Sequence, residues 1–221
     1  PGNNKEETSS DNKKQSKPQS AVTASSSKKK GEEEDLSPPM QVSNKSKRLE
    51  EEKGLKTLKW NFDVPRKEFI EQLRTQMENA QFNRTMLTCM FHDDFKFHIK
   101  ALEILTKCID DLADATISNL DLILRWLTLR FFETNPTVIL KAIDYMQALF
   151  NMLINVKRYN MIDYEANAFI PYFISRLGDP KDPIRKGFKQ IIKQIMQLFA
   201  PVKVYMFLIQ GLASKNARQR A

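Results

Sequence analysis

From Phe69 onward, apolar residues recur at steps of three and four, the spacing that gathers side chains onto one face of an α-helix. Ile70, Leu73 and Met77 mark one segment, and Ile99, Leu102, Leu105, Ile109 and Leu112 mark the next. Leu120, Leu124, Leu127 and Phe131 follow, then Ile139, Ile143, Met146, Leu149 and Leu153, each run long enough for three or more turns. A helix carrying Phe169, Phe173 and Leu177 is expected to stop where Gly178 takes the left-handed cap and Pro180 forbids continuation. Phe188, Ile191, Ile195 and Leu198 predict a further helix. Phe207, Leu208 and Leu212 predict another beginning near Val202, and one more starts at Asn216. Strand-like alternation is absent, so the expected fold class is all-α.

These helices pair around a recurring turn. A polar tip is followed by an apolar residue, a variable or basic residue, and, four places after the apolar one, a residue facing the core. The pattern falls at Phe97/His98/Ala101, Val138/Ile139/Ala142, Ile184/Arg185/Phe188 and Ala217/Arg218/Ala221. Ala101 and Ala142 are 41 residues apart and Ala142 and Phe188 46, inside the period of HEAT and armadillo units; the last interval, 33 residues, is short. Stacked helix pairs bury their faces between neighbours and leave the turns within each pair in a row along one edge, suited to an extended partner surface. Asn135-Pro136 and Asp182-Pro183 suit caps with proline in the first helical turn.

Residues 1–48 behave differently. They are rich in Ser, Lys, Asn, Gln, Pro and Glu with almost no aromatics, too little apolar surface to offset the entropy of ordering, and are expected to be a disordered linker. Within them, Lys28-Lys29-Lys30 is either a nuclear-localisation or acidic-surface patch or a solvated run, and Ser37-Pro38 is a minimal phosphorylation motif. The chain of 221 residues carries a net charge of +8; after residue 60 there are 22 basic and 17 acidic residues, a net +5. That bias favours an acidic partner without separating protein from nucleic acid or an anionic membrane. Lys100, Lys107 and Lys141 are interleaved with Glu103, Asp110 and Asp144, the mixture of a solvated face rather than a nucleic-acid stripe.

Chemistry finds little purchase. Cys89 and Cys108 lack zinc or disulfide spacing, which fits a reduced intracellular compartment. His92 and His98, six apart, do not form a standard metal pair, and there is no phosphate loop, nucleophile elbow or recognisable carboxylate pair. Neither catalysis, a metal nor a cofactor is expected. Arg125 and Arg130 interrupt the richest apolar stretch, so no membrane span is expected. Trp126, beside Ile123 and Leu127, reads as core, whereas Trp60, before Pro65, reads as a staple for an extended segment.

Several stretches resemble a known family. Lys53-Gly54-Leu55-Lys56, Leu58-Lys59-Trp60-Asn61-Phe62, Leu122-Ile123-Leu124, Trp126-Leu127-Thr128-Leu129-Arg130-Phe131-Phe132, Gly178-Asp179-Pro180-Lys181-Asp182 and Ser214-Lys215-Asn216 look like the fourth TOG domain of the ch-TOG and mini spindles microtubule polymerases. The resemblance covers residues 49–221. It implies a HEAT-repeat α-solenoid truncated to about three and a half of six repeats, preceded by an inter-domain linker. The implied partners are αβ-tubulin and microtubules, with other spindle or centrosome proteins besides, on the cytoplasmic microtubule cytoskeleton. Nucleic acid, membrane and cofactor are not implied.

Carried over residue by residue, the tubulin-binding turns fall at Phe95 and Lys96; at Thr134, Asn135, Pro136 and Thr137; at Lys181 and Arg185; and at Lys215 and Arg218. Phe95 stands where tubulin-binding TOG domains place Trp, so it keeps an apolar anchor and loses the indole donor. It is either that anchor or a core residue, and Arg185 and Arg218 either meet an acidic partner or bond the neighbouring repeat. The truncation implies that Val204, Phe207 and Leu212 lack part of their packing partner. The alternative reading is a HEAT scaffold or spacer for another partner, with a degenerate tubulin edge.

Overall fold

The structure, a computed structural model, describes residues 37–213. These residues form ten α-helices: α1 Lys45–Gly54, α2 Lys67–Asn79, α3 Arg84–Met90, α4 Phe95–Lys107, α5 Ala113–Ser118, α6 Leu120–Arg130, α7 Pro136–Asn151, α8 Asp163–Ser175, α9 Asp182–Leu198 and α10 Pro201–Leu212. No strand occurs among the described residues. The helices stack in two layers, α2, α6, α8 and α10 in one and α4, α7 and α9 in the other, which is the α-solenoid expected. Ala101, Ala142 and Phe188, the core positions of the repeated turn, are all fully buried. The fourth copy of the turn, with the helix expected at Asn216, lies outside the described residues.

Side-chain contacts give the helix directions. Gly187 approaches Ile143, Gln190 bonds Gln147 at 3.2 Å, and Gln194 bonds Asn151 at 2.8 Å, so α7 and α9 run parallel. Glu103 reaches Lys141 at 3.4 Å and sets α4 beside α7. Asn135 caps α7 by accepting from the Thr137 amide at 2.9 Å, with Pro136 at the first helical position, as expected. Asp182 does not cap: it falls inside the first turn of α9 and pairs with Arg185 and Lys186.

Three helices escaped the apolar pattern. α3 and α5 are too short to show a period, and α1 buries no residue at all. Ile109 and Leu112 fall in the connection after α4 rather than on the helix, which ends at Lys107. The helix through Phe169 and Phe173 ends at Ser175, then tightens into a 3₁₀ turn through Gly178. α7 runs on into a π-helical segment, and Pro136–Val156 together are long and apolar enough to cross a membrane by length and composition, contrary to expectation. Its apolar side chains, Val138, Ile139, Ala142, Ile143, Met146 and Leu149, are instead buried in the core.

The ordered body also begins earlier than residue 49. Met40 is 1% exposed, the Pro39 carbonyl accepts from the Asn83 amide at 3.0 Å, and Ser43 bonds Ser118 and Asn119. Beyond this strap, α1 docks through charge. Lys45 meets Glu165 at 2.6 Å, Arg48 meets Asp121, and Glu52 meets Arg125 at 3.4 Å. Composition concealed this segment because its partners are polar side chains that α6 and α8 keep buried. Burial raises the carboxyls of Glu165 and Glu52, and the cations opposite, Lys45 and Arg125, pull them partly back.

Trp60 acts as the expected staple. It is half-buried, packs edge-on against Phe62 and Phe69, and donates to Thr128 Oγ1 at 3.1 Å. Trp126 is core, fully buried and donating to the Met90 carbonyl at 2.9 Å. At the other end, Val204 is fully buried against expectation; the face of α10 left uncovered carries Val202, Tyr205, Met206, Ile209 and Leu212.

Candidate functional site: the row of turns

α4, α7 and α9 lie side by side and run the same way, His98 and Glu103 of α4 meeting Glu133 and Lys141 in order and α7 paralleling α9, so the turns leading into them fall along one edge. In the first, Asp94 caps α4 by accepting from the Lys96 amide at 3.0 Å, which fixes Phe95 at the first helical position. Phe95 is half-buried against the core, so its ring both packs and reaches the surface, and Lys96 is exposed. Behind them His92 stacks on Phe97 with centroids 3.8 Å apart and accepts from the Asp94 amide at 2.9 Å.

The second turn presents Thr134 and Thr137 exposed, with Asn135 and Pro136 half-buried in the cap. Phe131 points inward, 5.2 Å from Phe188 of α9, which ties this turn to the third repeat. In the third turn Asp179 is buried, accepts from the Lys181 amide at 2.8 Å and pairs with Arg176 at 2.5 Å. Lys181 is thereby held exposed at the tip. Arg185 folds back onto its own turn, donating to the Asp179 carbonyl at 2.9 Å and to Asp182; it does not reach the neighbouring repeat. Lys215 and Arg218 lie outside the described residues.

The sequence reading missed part of this edge. Phe132, one residue after Phe131, is 37% exposed between the first two turns. Its signal was the Phe-Phe pair at the end of α6, where adjacent residues must point in different directions. Beside it, Glu133 joins the first two turns: its Oε1 lies 3.0 Å from His98 Nδ1 and 3.3 Å from Arg130 Nη1. Burial alone would raise the Glu133 carboxyl, but His98 and Arg130 outweigh it and hold the group below its ordinary value of 4.5. Burial pushes Arg130 down to about 10. Cys89 and Cys108 form no disulfide, and no cluster of metal-ligating residues occurs among the described residues.

Glu133 therefore binds fewer protons in the folded than in the unfolded chain above its folded value. Its contribution is complete above about pH 4.5 and is lost as pH falls through that lowered value. Glu133→Gln is expected to lose less stability than the parent between about pH 7 and pH 3, read from urea midpoints at the two pH values.

Comparison with known proteins follows the same outline. The chain is 43% identical over 187 residues to the mini spindles protein of Drosophila melanogaster, covering 84% of this chain and 9% of that protein. It is 38% identical over 178 residues to zygote defective protein 9 of Caenorhabditis elegans, covering 80% of this chain and 12% of that protein. The chain thus spans about a tenth of the length of these curated relatives. A chain solved for work on TOG–tubulin binding specificity in microtubule dynamics and mitotic spindle formation superposes with a TM-score of 0.80. The two are 42% identical, over 83% of this chain and 75% of that one. A TOG domain structure from C. elegans Zyg9 gives 0.77 at 37% identity, over 82% and 68%. No family model matches.

Proposed function

This chain belongs to the TOG-domain family, and we propose that it is a non-catalytic module that binds αβ-tubulin through its row of turns. In this reading it contributes to microtubule polymerisation, plus-end dynamics and spindle organisation on the cytoplasmic cytoskeleton. The observation that carries the proposal is that α4, α7 and α9 pack side by side with their starts together, His98 of α4 meeting Glu133 before α7 and α7 running parallel to α9, which gathers the turns bearing Phe95, Lys96, Thr134, Thr137 and Lys181. Phe95 supplies the apolar anchor and the exposed lysines supply attraction to an acidic surface. Asn135, Pro136 and Arg185 shape the turns, the last through its bonds to Asp179 and Asp182. Lys215 and Arg218 belong to the fourth turn of the same proposal. As part of a longer polypeptide, the module would act by raising the effective tubulin concentration alongside linked modules, so modest affinity suffices.

Gel filtration of the chain with αβ-tubulin at low salt tests this. Co-elution is expected, weakened about tenfold by Phe95→Ala and about two- to fivefold by Lys181→Ala, and falling as salt rises. Salt-independent co-elution, or variants that bind like the parent, would remove the turn row as the contact surface. No co-elution at low salt would leave a HEAT spacer or a scaffold for another spindle or centrosome protein.

A further inference from the structure

The outward face of the layer formed by α4, α7 and α9 carries charge that the fold does not use. On α4, Lys96, Lys100 and Lys107 are spaced by four and seven residues on the side opposite buried His98, Leu102 and Leu105, and all three are exposed. On α9, Lys186, Lys189 and Lys193 are spaced by three and four, exposed opposite buried Ile184, Ile191 and Ile195. The parallel course of the helices lays both lysine stripes on one face with α7 between them. Helices in contact lie about 8–10 Å apart, so the stripes are about 16–20 Å from each other. Lys186 pairs with Asp182 at 2.8 Å, but Lys96, Lys100, Lys107, Lys189 and Lys193 form no ion pair among the described residues. The acids interleaved with α4 in sequence do not offset its stripe: Glu103 is engaged by Lys141 at 3.4 Å, and Asp110 lies beyond the end of the helix. In the other layer, α2 sets Glu71 and Glu78 four residues after Lys67 and Arg74 and pairs both. Like charges three or four apart on a helix repel, so the stripes cost stability and return none within the fold.

We propose that this face receives an extended segment of the partner rich in Glu and Asp, laid from the turn edge along the lysine stripes. The inference rests on the turn-row reading, because Lys96 and Lys181, exposed at that edge, stand at the heads of the two stripes. Lys186 to Lys193 is a rise of about 10 Å, the reach of about three extended residues, and Lys96 to Lys107 is about 16 Å, the reach of about five. The residue types select an acidic peptide over other polyanions. Both stripes are built of lysine alone, mobile point charges that follow a flexible row of carboxylates. Nucleic-acid grooves add arginine forks and aromatic platforms, and the stripes hold neither. Asp144, exposed on α7 between the stripes, would repel an unbroken phosphate backbone, whereas a peptide can set an uncharged residue there. An anionic membrane is gripped by apolar side chains beside the cations. Here Leu140, 38% exposed, is the large apolar residue between the stripes, too little to insert.

The test titrates the chain against fluorescein-labelled decaglutamate at low salt and reads anisotropy, with decaglutamine and a single-stranded oligonucleotide of the same charge as comparison probes. Saturable binding of decaglutamate is expected, weakening as salt rises and absent for decaglutamine. The triple variant Lys186→Ser, Lys189→Ser, Lys193→Ser should weaken it about five- to tenfold. A variant of equal charge loss away from the face, Lys56→Ser, Lys59→Ser, Lys67→Ser, should stay within about twofold of the parent. The stripe variant should unfold at the same urea concentration as the parent or a higher one, since repulsion has been removed, which separates lost binding from lost fold. Equal weakening by both triple variants would reduce the effect to net charge and overturn the proposal. So would tighter binding of the oligonucleotide, equal binding of decaglutamine, or no binding of decaglutamate at low salt. Co-elution with tubulin is scored separately. If it persists without a decaglutamate response, the turn row stands and the acidic-segment face falls; if decaglutamate binds the stripes and tubulin does not co-elute, the face stands and the tubulin reading falls.

Discussion

Arg48→Ala is expected to undock α1 at a cost of about 3–5 kcal/mol, the range for removing one member of a buried ion pair. Arg48 and Asp121 are matched across the interface between α1 and α6, and the Asp121 side chain is fully buried. Truncating the arginine strands that carboxylate beneath a helix that itself buries no apolar residue. The chain escapes the stranded charge by letting α1 lift and water enter, so the damage is local. Hydrogen exchange of the amides in 45–54 should accelerate and trypsin should cut at Lys47 and Lys53, while the exchange of α7 stays slow. Removing both partners, Arg48→Ala with Asp121→Ala, should recover much of the loss, because an absent pair costs less than half of one. Unchanged exchange in α1 would show that Leu49 and the flanking strap, not the ion pairs, hold the helix.

The same segment shows what the sequence could and could not reveal. Apolar periodicity located α2, α4, α6, α7, α8, α9 and α10, because each buries a stripe whose spacing is set by the helix itself. α1 was invisible to that signal. Its partners Glu165, Asp121 and Arg125 are buried charges on α6 and α8, and a charged residue carries no mark in the sequence of whether it will be solvated or paired. α3, at seven residues, offers too few positions for a period to register.

The candidate site was legible in a similar way. Turn chemistry identified Asn135 and Pro136, since capping is a local matter between neighbours in sequence. Phe95 and Lys181 were placed by resemblance; Phe95 opens α4, and Lys181 stands exposed just before α9. Phe132, Arg130 and Glu133 were not singled out, because their grouping depends on His98, a residue from the preceding pair that crosses between turns. Contacts between repeats are set by stacking, and stacking distances cannot be read along one helix.

That dependence makes the site sensitive to substitutions that touch no partner, and Phe188→Ala is the sharpest case. Phe188 is fully buried, with its ring 5.2 Å from Phe131 below the second turn and 5.0 Å from Phe173 of α8. The alanine variant is expected to lose about 3–5 kcal/mol of stability, the usual cost of emptying an aromatic site in a packed core. Relaxation around the cavity has little room on one side. A Cβ at Gly187 would lie only 2.8 Å from Ile143 Cγ2, so α7 and α9 are already at closest approach. The shift therefore falls on Phe131 and the turn above it, moving Thr134 and Thr137 relative to Lys181. Urea melts should show the loss of stability. Co-elution with tubulin should weaken more than for Lys181→Ala, under conditions where the variant is still folded. Phe188→Leu, which keeps most of the volume, should cost less than half as much and retain binding. A destabilised Phe188→Ala that binds tubulin like the parent would show that the turns hold their spacing without the aromatic bridge beneath them.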